Sequence, residues 1–314
     1  SSNPSLCNMR RSKKLKRDTV YLFARAALAF FSAMPRRTAL FIGSWLGLLA
    51  WRLLGRDRYK FDRHLTLIYG HRLSTRDKSV ICRQFFLNSA KNLVDVARFR
   101  KHYCTEIKPL VEAEGLVHME NAHARGKGTL GITGHIGNFE LLAVYLVNLG
   151  YKIAVIGREL YDPRLDRLLV ANREAMGLVN IATTDSPRRI LEWLKSNGAL
   201  GVLIDTDSVR VRGTFVPFFG RMANTPIGQS LLGLKADSVF LPMACLRTDN
   251  DRYRVIIRPP VQIERSGSLE QDACRVTLAC ARELERIIDK YKSQWIWNHN
   301  RWHTRPEDLC VPPK

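Results

Sequence analysis

From Gly128 onward, short apolar runs alternate with helix-start signals, and this alternation restricts the possible folds more than any other feature of the chain. The runs occupy 129–133, 152–157, 179–182, 199–205, 239–246 and 253–258, and their length and Val/Ile/Leu content read as strands. Between them, Asp162-Pro163, Ser186-Pro187 and Thr225-Pro226 each set a capping side chain before a proline suited to the first helical position. Gly177 and Gly198 stand where the first two of those helices should stop. Strands alternating with helices predict a layered α/β fold with a mixed, mostly parallel sheet. A long helix over about 269–292 and an aromatic, basic tail complete it.

The first third has a different texture. Residues 1–17 are polar and basic, 18–55 are apolar, and 56–314 form the α/β domain with a helical lead-in at 56–102. The apolar part holds two segments, 20–34 and 38–51, separated by Pro35-Arg36-Arg37. A helix over 38–51 would span only about 21 Å, short of a hydrocarbon core of about 30 Å. Arg25, Arg36, Arg37 and Arg52 suit helices that lie at a lipid surface, their apolar faces inserted and their basic groups among the headgroups.

At 46% hydrophobic and 25% charged residues over 314 positions, wholesale disorder is excluded. The 50 Lys+Arg against 29 Asp+Glu give a net charge of +21, which favours anionic partners: a membrane surface, an acidic carrier protein or nucleic acid. No RNA-binding or zinc-finger signature is present, so nucleic acid is not expected. The seven cysteines are scattered, with no CxxC pair and no Cys/His metal spacing. That argues against a disulfide framework and a zinc site, and for a reducing compartment.

The segment that carries chemistry is Gly134-His135-Ile136-Gly137-Asn138-Phe139-Glu140, between a strand and an apolar helix. Ligands gather at such strand ends in α/β sheets. Asn138 is placed to cap the helix, with Glu140 in its first turn. His135 precedes the helix, so its ring can fold back toward Glu140. An imidazole oriented by a carboxylate is a fit general base near neutral pH. No Ser or Cys stands nearby in a nucleophile elbow, so the activated hydroxyl would belong to the substrate. The alternative is that His135 and Glu140 only brace the turn.

These residues resemble a known family. Gly134–Glu140 is similar to the His-x4-Asp/Glu motif of the lysophospholipid acyltransferase superfamily, in the variant of the lipid A late (secondary) acyltransferases, the lauroyl and myristoyl transferase branch. Phe215-Val216-Pro217-Phe218-Phe219-Gly220 with Ala223-Asn224-Thr225-Pro226 resembles that family's V-P-F-F-G…A-x-T segment. Trp297 to Pro306 resembles its C-terminal W-x-H-x-R-[FW]-x-T-R-P. The resemblance implies acyl transfer from a thioester, acyl carrier protein or coenzyme A, to a hydroxyl of a lipid A precursor. It also implies an α/β fold anchored by N-terminal helices at the cytoplasmic face of the cell inner membrane, with no cofactor or metal. By matched motif, His135 is the base, Glu140 its partner, and Arg173 and Asp205 bind substrate; on that reading Arg173 and Arg158 would hold phosphate by charge-assisted bonds, and backbone N–H groups near the helix start at Asn138 would be the oxyanion donors. Asp205-Thr206-Asp207 departs from the family pattern and leaves open which aspartate matters. A phosphatidylinositol mannoside, a lysophospholipid or an aminolipid are alternative acceptors; a non-enzymatic basic membrane or nucleic-acid binding protein is the alternative of another class.

Overall fold

Helix α1 runs from Pro4 to Ala33, unbroken through the basic and first apolar segments. The computed structural model describes residues 4–157, 160–209 and 211–309, and side chains between 17 and 307 of these. Pro35 forces a break, and α2 follows over Arg36–Leu53. Helix α3 (Gly55–Tyr69) turns away sharply, and α4 (Thr75–His102) starts on a Ser74–Asp77 capping box. Gly43 and Gly47 bring α2 against α4: an added Cβ at Gly47 would lie 2.7 Å from the Phe86 carbonyl oxygen. Arg98, fully buried in α4, donates to the carbonyls of Phe31 (2.5 Å) and Met34 (2.6 Å), closing the open end of α1.

The outer face of these helices stays apolar. Phe41, Trp45 and Leu49 recur every fourth residue of α2 and are exposed, as are Phe23 and Phe30 of α1. No single helix among the described residues is long and apolar enough to cross a membrane. The α2–α3 region, bent by 82°, passes that test only as a broken pair.

The predicted alternation is present. Strands β1 (Val111–Glu114), β2 (Thr129–Thr133), β3 (Ile153–Gly157), β4 (Val179–Ala182), β5 (Ala199–Leu203), β8 (Val239–Arg247) and β9 (Tyr253–Ile257) form one sheet in the order β1-β9-β8-β2-β5-β3-β4. All neighbours are parallel except β8 and β9, so the sheet is mixed and mostly parallel. Helices α5 (Leu116–Ala124) and α6 (Phe139–Val147) pack on one face. Helices α9 (Gly228–Lys235) and α10 (Leu269–Lys290) pack on the other. Asp162 and Ser186 cap α7 (Pro163–Glu174) and α8 (Pro187–Lys195), as their Pro dipeptides predict.

Thr225-Pro226 does not open a helix. It ends β7 (Arg221–Pro226), which pairs with β6 (Gly213–Phe218) in an antiparallel hairpin closed by Phe219 and Gly220 at positive φ. Helix α9 begins two residues later at Gly228. The Thr225 hydroxyl is engaged elsewhere: it accepts from a buried arginine of the tail, and this contact outweighs the local capping signal.

Candidate active site

Strand β2 delivers the chain into the 134–138 loop, and two glycines let that loop pass where it does. An added Cβ at Gly134 would lie 2.7 Å from an Asp205 carboxylate oxygen. Gly137 has φ +59, and its added Cβ would meet the Cys245 carbonyl oxygen at 2.0 Å. Two backbone bonds then clamp the loop: Gly137 N–H donates to Gln294 O (2.9 Å) and Asn138 N–H to Cys245 O (2.7 Å). The Asn138 side chain accepts from Leu141 N–H at 3.0 Å, capping α6 as expected.

The His135 ring does not fold back to Glu140. Its Nδ1 lies 2.8 Å from Oδ1 of Asp205, just past the end of β5, the strand beside β2. The Asp205 carboxylate is fully buried, and its Oδ2 accepts from the His135 backbone N–H (2.7 Å) and from Trp295 Nε1–H (2.8 Å). A carboxylate there fixes the proton on Nδ1 and leaves Nε2 as the acceptor. Burial opposes charge on His135, but the Asp205 charge and hydrogen bond outweigh it, so the pKa is raised from 6.5. Burial opposes the Asp205 charge too; His135, Trp295 and the backbone N–H overcome it and hold the carboxyl well below the usual carboxylate range.

Glu140 pairs with Arg173 of α7 through Nε (3.0 Å) and a terminal nitrogen (2.6 Å), and Arg173 also donates to Asn180 Oδ1 of β4 (2.8 Å). Residues five apart across a loop and a first helical turn do not meet here, because a neighbouring strand end supplies a better-placed carboxylate to His135. The two aspartates take different places. Asp205 holds the imidazole; Asp207 accepts from the backbone N–H groups of His303 (3.0 Å) and Thr304 (2.7 Å) and so ties down the tail. Arg158 lies outside the described residues.

An apolar cavity, open at its mouth, lies between α6 and the sheet. Gly131 of β2 and Gly201 of β5, directly paired in register, hollow out its sheet side, while Ala143 and Leu146 line the helix side. Glu140 and Arg173 also border it. Phe139 links the two regions: its ring lines the cavity and meets the His135 ring edge-on at 5.6 Å between centroids. Buffered by Asp205 and open at Nε2, the imidazole can take a proton from a hydroxyl while an apolar chain occupies the cavity.

The family model described as bacterial lipid A biosynthesis acyltransferase matches residues 9–304. The chain belongs to that family. It is 21% identical over 299 residues to the lipid A biosynthesis palmitoleoyltransferase of Escherichia coli, covering 90% of this chain and 91% of that protein. To the lipid A biosynthesis lauroyltransferase of Escherichia coli it is 25% identical over 272 residues, covering 85% and 86%. To the phosphatidylinositol mannoside acyltransferase of Mycolicibacterium smegmatis it is 24% identical over 189 residues, or 59% of this chain; the match spans 60% of that protein's length.

In this family member the loop also hangs on a buried polar network that sequence reasoning missed. Asn92 donates to Gly137 O (3.0 Å) and accepts from Arg247 Nε (3.1 Å). Arg247 pairs with Asp95 (2.8 Å), which is also gripped by Arg36 of α2 at 2.8 and 2.9 Å and by the Tyr253 hydroxyl at 2.7 Å. Tyr253 in turn accepts from Asn138 Nδ2 (3.2 Å). The available signal was Asn92 and Asp95 three apart on the apolar face of α4, an arrangement that a buried helix accepts only with partners. Trp295 lacked even that, since its carboxylate partner lies 90 positions away.

Proposed function

We propose that this protein transfers a fatty acyl chain from an acyl thioester, carried by acyl carrier protein, to a hydroxyl of a lipid A precursor at the cytoplasmic face of the inner membrane. The observation that carries the reading is the His135–Asp205 pair, whose Nε2 is bonded to no Ser or Cys among the described residues, set beside the apolar cavity. A base without its own nucleophile suits a substrate hydroxyl. In the reaction His135 Nε2 accepts the hydroxyl proton as the substrate oxygen bonds to the thioester carbonyl carbon, and the C=O electron pair moves onto oxygen. As C=O re-forms, the C–S bond breaks and the leaving thiolate takes the proton from the imidazolium. General-base help of this kind contributes about 10²–10⁴-fold.

The cavity would hold the acyl chain, and Arg173, with Glu140 setting its orientation, would meet the phosphate or carbonyl groups at the mouth. The net charge of +21 supports an acidic carrier as donor. The exposed row Phe41, Trp45 and Leu49 supports seating on a lipid surface, where both acceptor and product reside. The similarity to a phosphatidylinositol mannoside acyltransferase supports that glycolipid as the second acceptor to assay. The purified protein in mixed micelles, given labelled acyl carrier protein and each acceptor in turn, should yield a lipid A precursor heavier by one acyl chain in mass spectra. Acylation of the mannoside alone would reassign the acceptor, and acylation of neither would end the reading.

A further inference from the structure

The reaction above develops negative charge on the thioester oxygen, and that oxygen needs a donor. Four N–H groups of the loop expected to supply it, those of residues 135–138, are already committed. The N–H of His135 goes to Asp205 (2.7 Å), that of Ile136 to Gly134 O (2.7 Å), that of Gly137 to Gln294 O and that of Asn138 to Cys245 O. What faces the base instead is a second imidazole. The His299 ring lies nearly parallel to that of His135, 28° between planes and 6.0 Å between centroids. It is carried there by the tail: Ile296 N–H donates to His135 O (3.3 Å) and His299 N–H to Ile296 O (3.2 Å). Behind it, buried Arg301 is anchored on Asn224 O (2.5 Å) and the Thr225 hydroxyl (2.6 Å), so the ring sits on a fixed strap.

No hydrogen bond among the described residues engages the His299 ring, and its Nδ1 is buried without a partner. A buried N–H with no acceptor is costlier than a bare lone pair, which puts the proton on Nε2, the less buried edge. Resting on the acyl-transfer reading, we propose that His299 is a catalytic residue, donating from Nε2–H to the thioester oxygen as it becomes an oxyanion while His135 takes the hydroxyl proton. His299 remains neutral in this role. Burial is the largest influence lowering its pKa, with His135 and Arg301 adding to it against the attraction of Asp205 and Asp207. A neutral imidazole of lowered pKa is a known carbonyl-polarising electrophile, and here it keeps a second cation away from the base.

The test compares His299→Leu, which has no donor, with His299→Gln, whose amide N–H can reach the same oxygen, each beside the wild type. The quantity read is kcat on the alkaline plateau, with thermal unfolding followed in parallel. Leu is expected to lower kcat by about 10²–10³-fold with KM little changed, as for loss of one oxyanion donor, and Gln to recover at least about tenfold of that. Equal losses in Leu and Gln, a loss below about fivefold, a shift of the pH profile without loss of plateau, or activity that falls only with the folded fraction would each overturn the role of His299. A wild type that moves no acyl chain would overturn the acyl-transfer reading and this role together.

Discussion

Replacing Asp205 with Asn is the sharpest perturbation of the site, because the amide has the carboxylate's shape and reverses its chemistry. Two of the three donors around Asp205, the His135 backbone N–H and Trp295 Nε1–H, converge on Oδ2. The Asn oxygen would take that position and keep both bonds. Its NH2 would then face His135 Nδ1 at the 2.8 Å contact, which can accept it only by giving up its own proton. The imidazole must therefore carry its proton on Nε2, the atom required as the base. Where an equivalent Asp→Asn change is known in serine proteases, the wrong tautomer costs about 10⁴-fold in turnover, and a loss of about 10³–10⁴ is expected here. The pH profile moves too. Activity requires neutral His135, so it rises through a pKa held above 6.5 by Asp205; with the charge gone, burial alone moves the rise below 6.5. Stability follows the same logic. The depressed Asp205 pKa contributes stability above about 3.8 that is lost as pH falls through the folded value. The raised His135 pKa contributes stability below about 6.5 that is lost as pH rises through its folded value. The variant should thus be most destabilised between about pH 4 and 6.5, by about 1–3 kcal/mol for the charge-assisted bonds. Denaturant melts at pH 5 and 8 with kcat measured from pH 5 to 9 test all of this. Turnover within tenfold of wild type, or an unmoved acid limb, would refute the assignment of Asp205 as the group that sets the tautomer.

Glu140→Gln should leave the acid limb where it is, since Glu140 pairs with Arg173 and not with His135; KM for the acceptor should rise by about tenfold, and a downward-shifted limb would restore Glu140 as the imidazole's partner. Asp95→Ala strands Arg247 and Arg36, whose side chains are 2% and 12% exposed, and should cost about 3–5 kcal/mol in urea unfolding; a loss under 1 kcal/mol would show the network to be relaxed. Changing Phe41, Trp45 and Leu49 to Ser should weaken sedimentation with anionic vesicles by about tenfold per inserted residue without altering the melt, and unchanged sedimentation would remove α2 from the lipid contact.

The strand–helix order was legible because each β-segment is a short apolar run and two of the helix starts combine a capping side chain with proline. Thr225-Pro226 carried the same signal and failed. The partner that decided its conformation, Arg301, is 76 residues away, and local propensity has no access to such contacts. The site divides along the same line. His135, Asn138 and Glu140 stand out within one heptapeptide, whereas the partner of His135 lies 70 positions on and the clamp at Gln294 farther still. Pairing across neighbouring parallel strands brings β2 and β5 side by side although two other strands separate them in the chain. Glu140 was the nearest carboxylate in sequence, and the sheet made Asp205 the nearest in space.

Arg36 opens the helix whose outer row is exposed and apolar, yet its guanidinium closes on a carboxylate that also holds Arg247 and Tyr253, one bond from the loop bearing His135. The segment an engineer would remove first to obtain a well-behaved soluble protein is therefore part of the frame of the candidate site. A chain beginning near Lys60 would leave Asp95 and Arg98 facing water along a surface shaped for helices, and its solubility would come with a slackened loop. Exchanging exposed side chains one at a time, with the backbone of α1 and α2 retained, separates greasiness from architecture where trimming cannot.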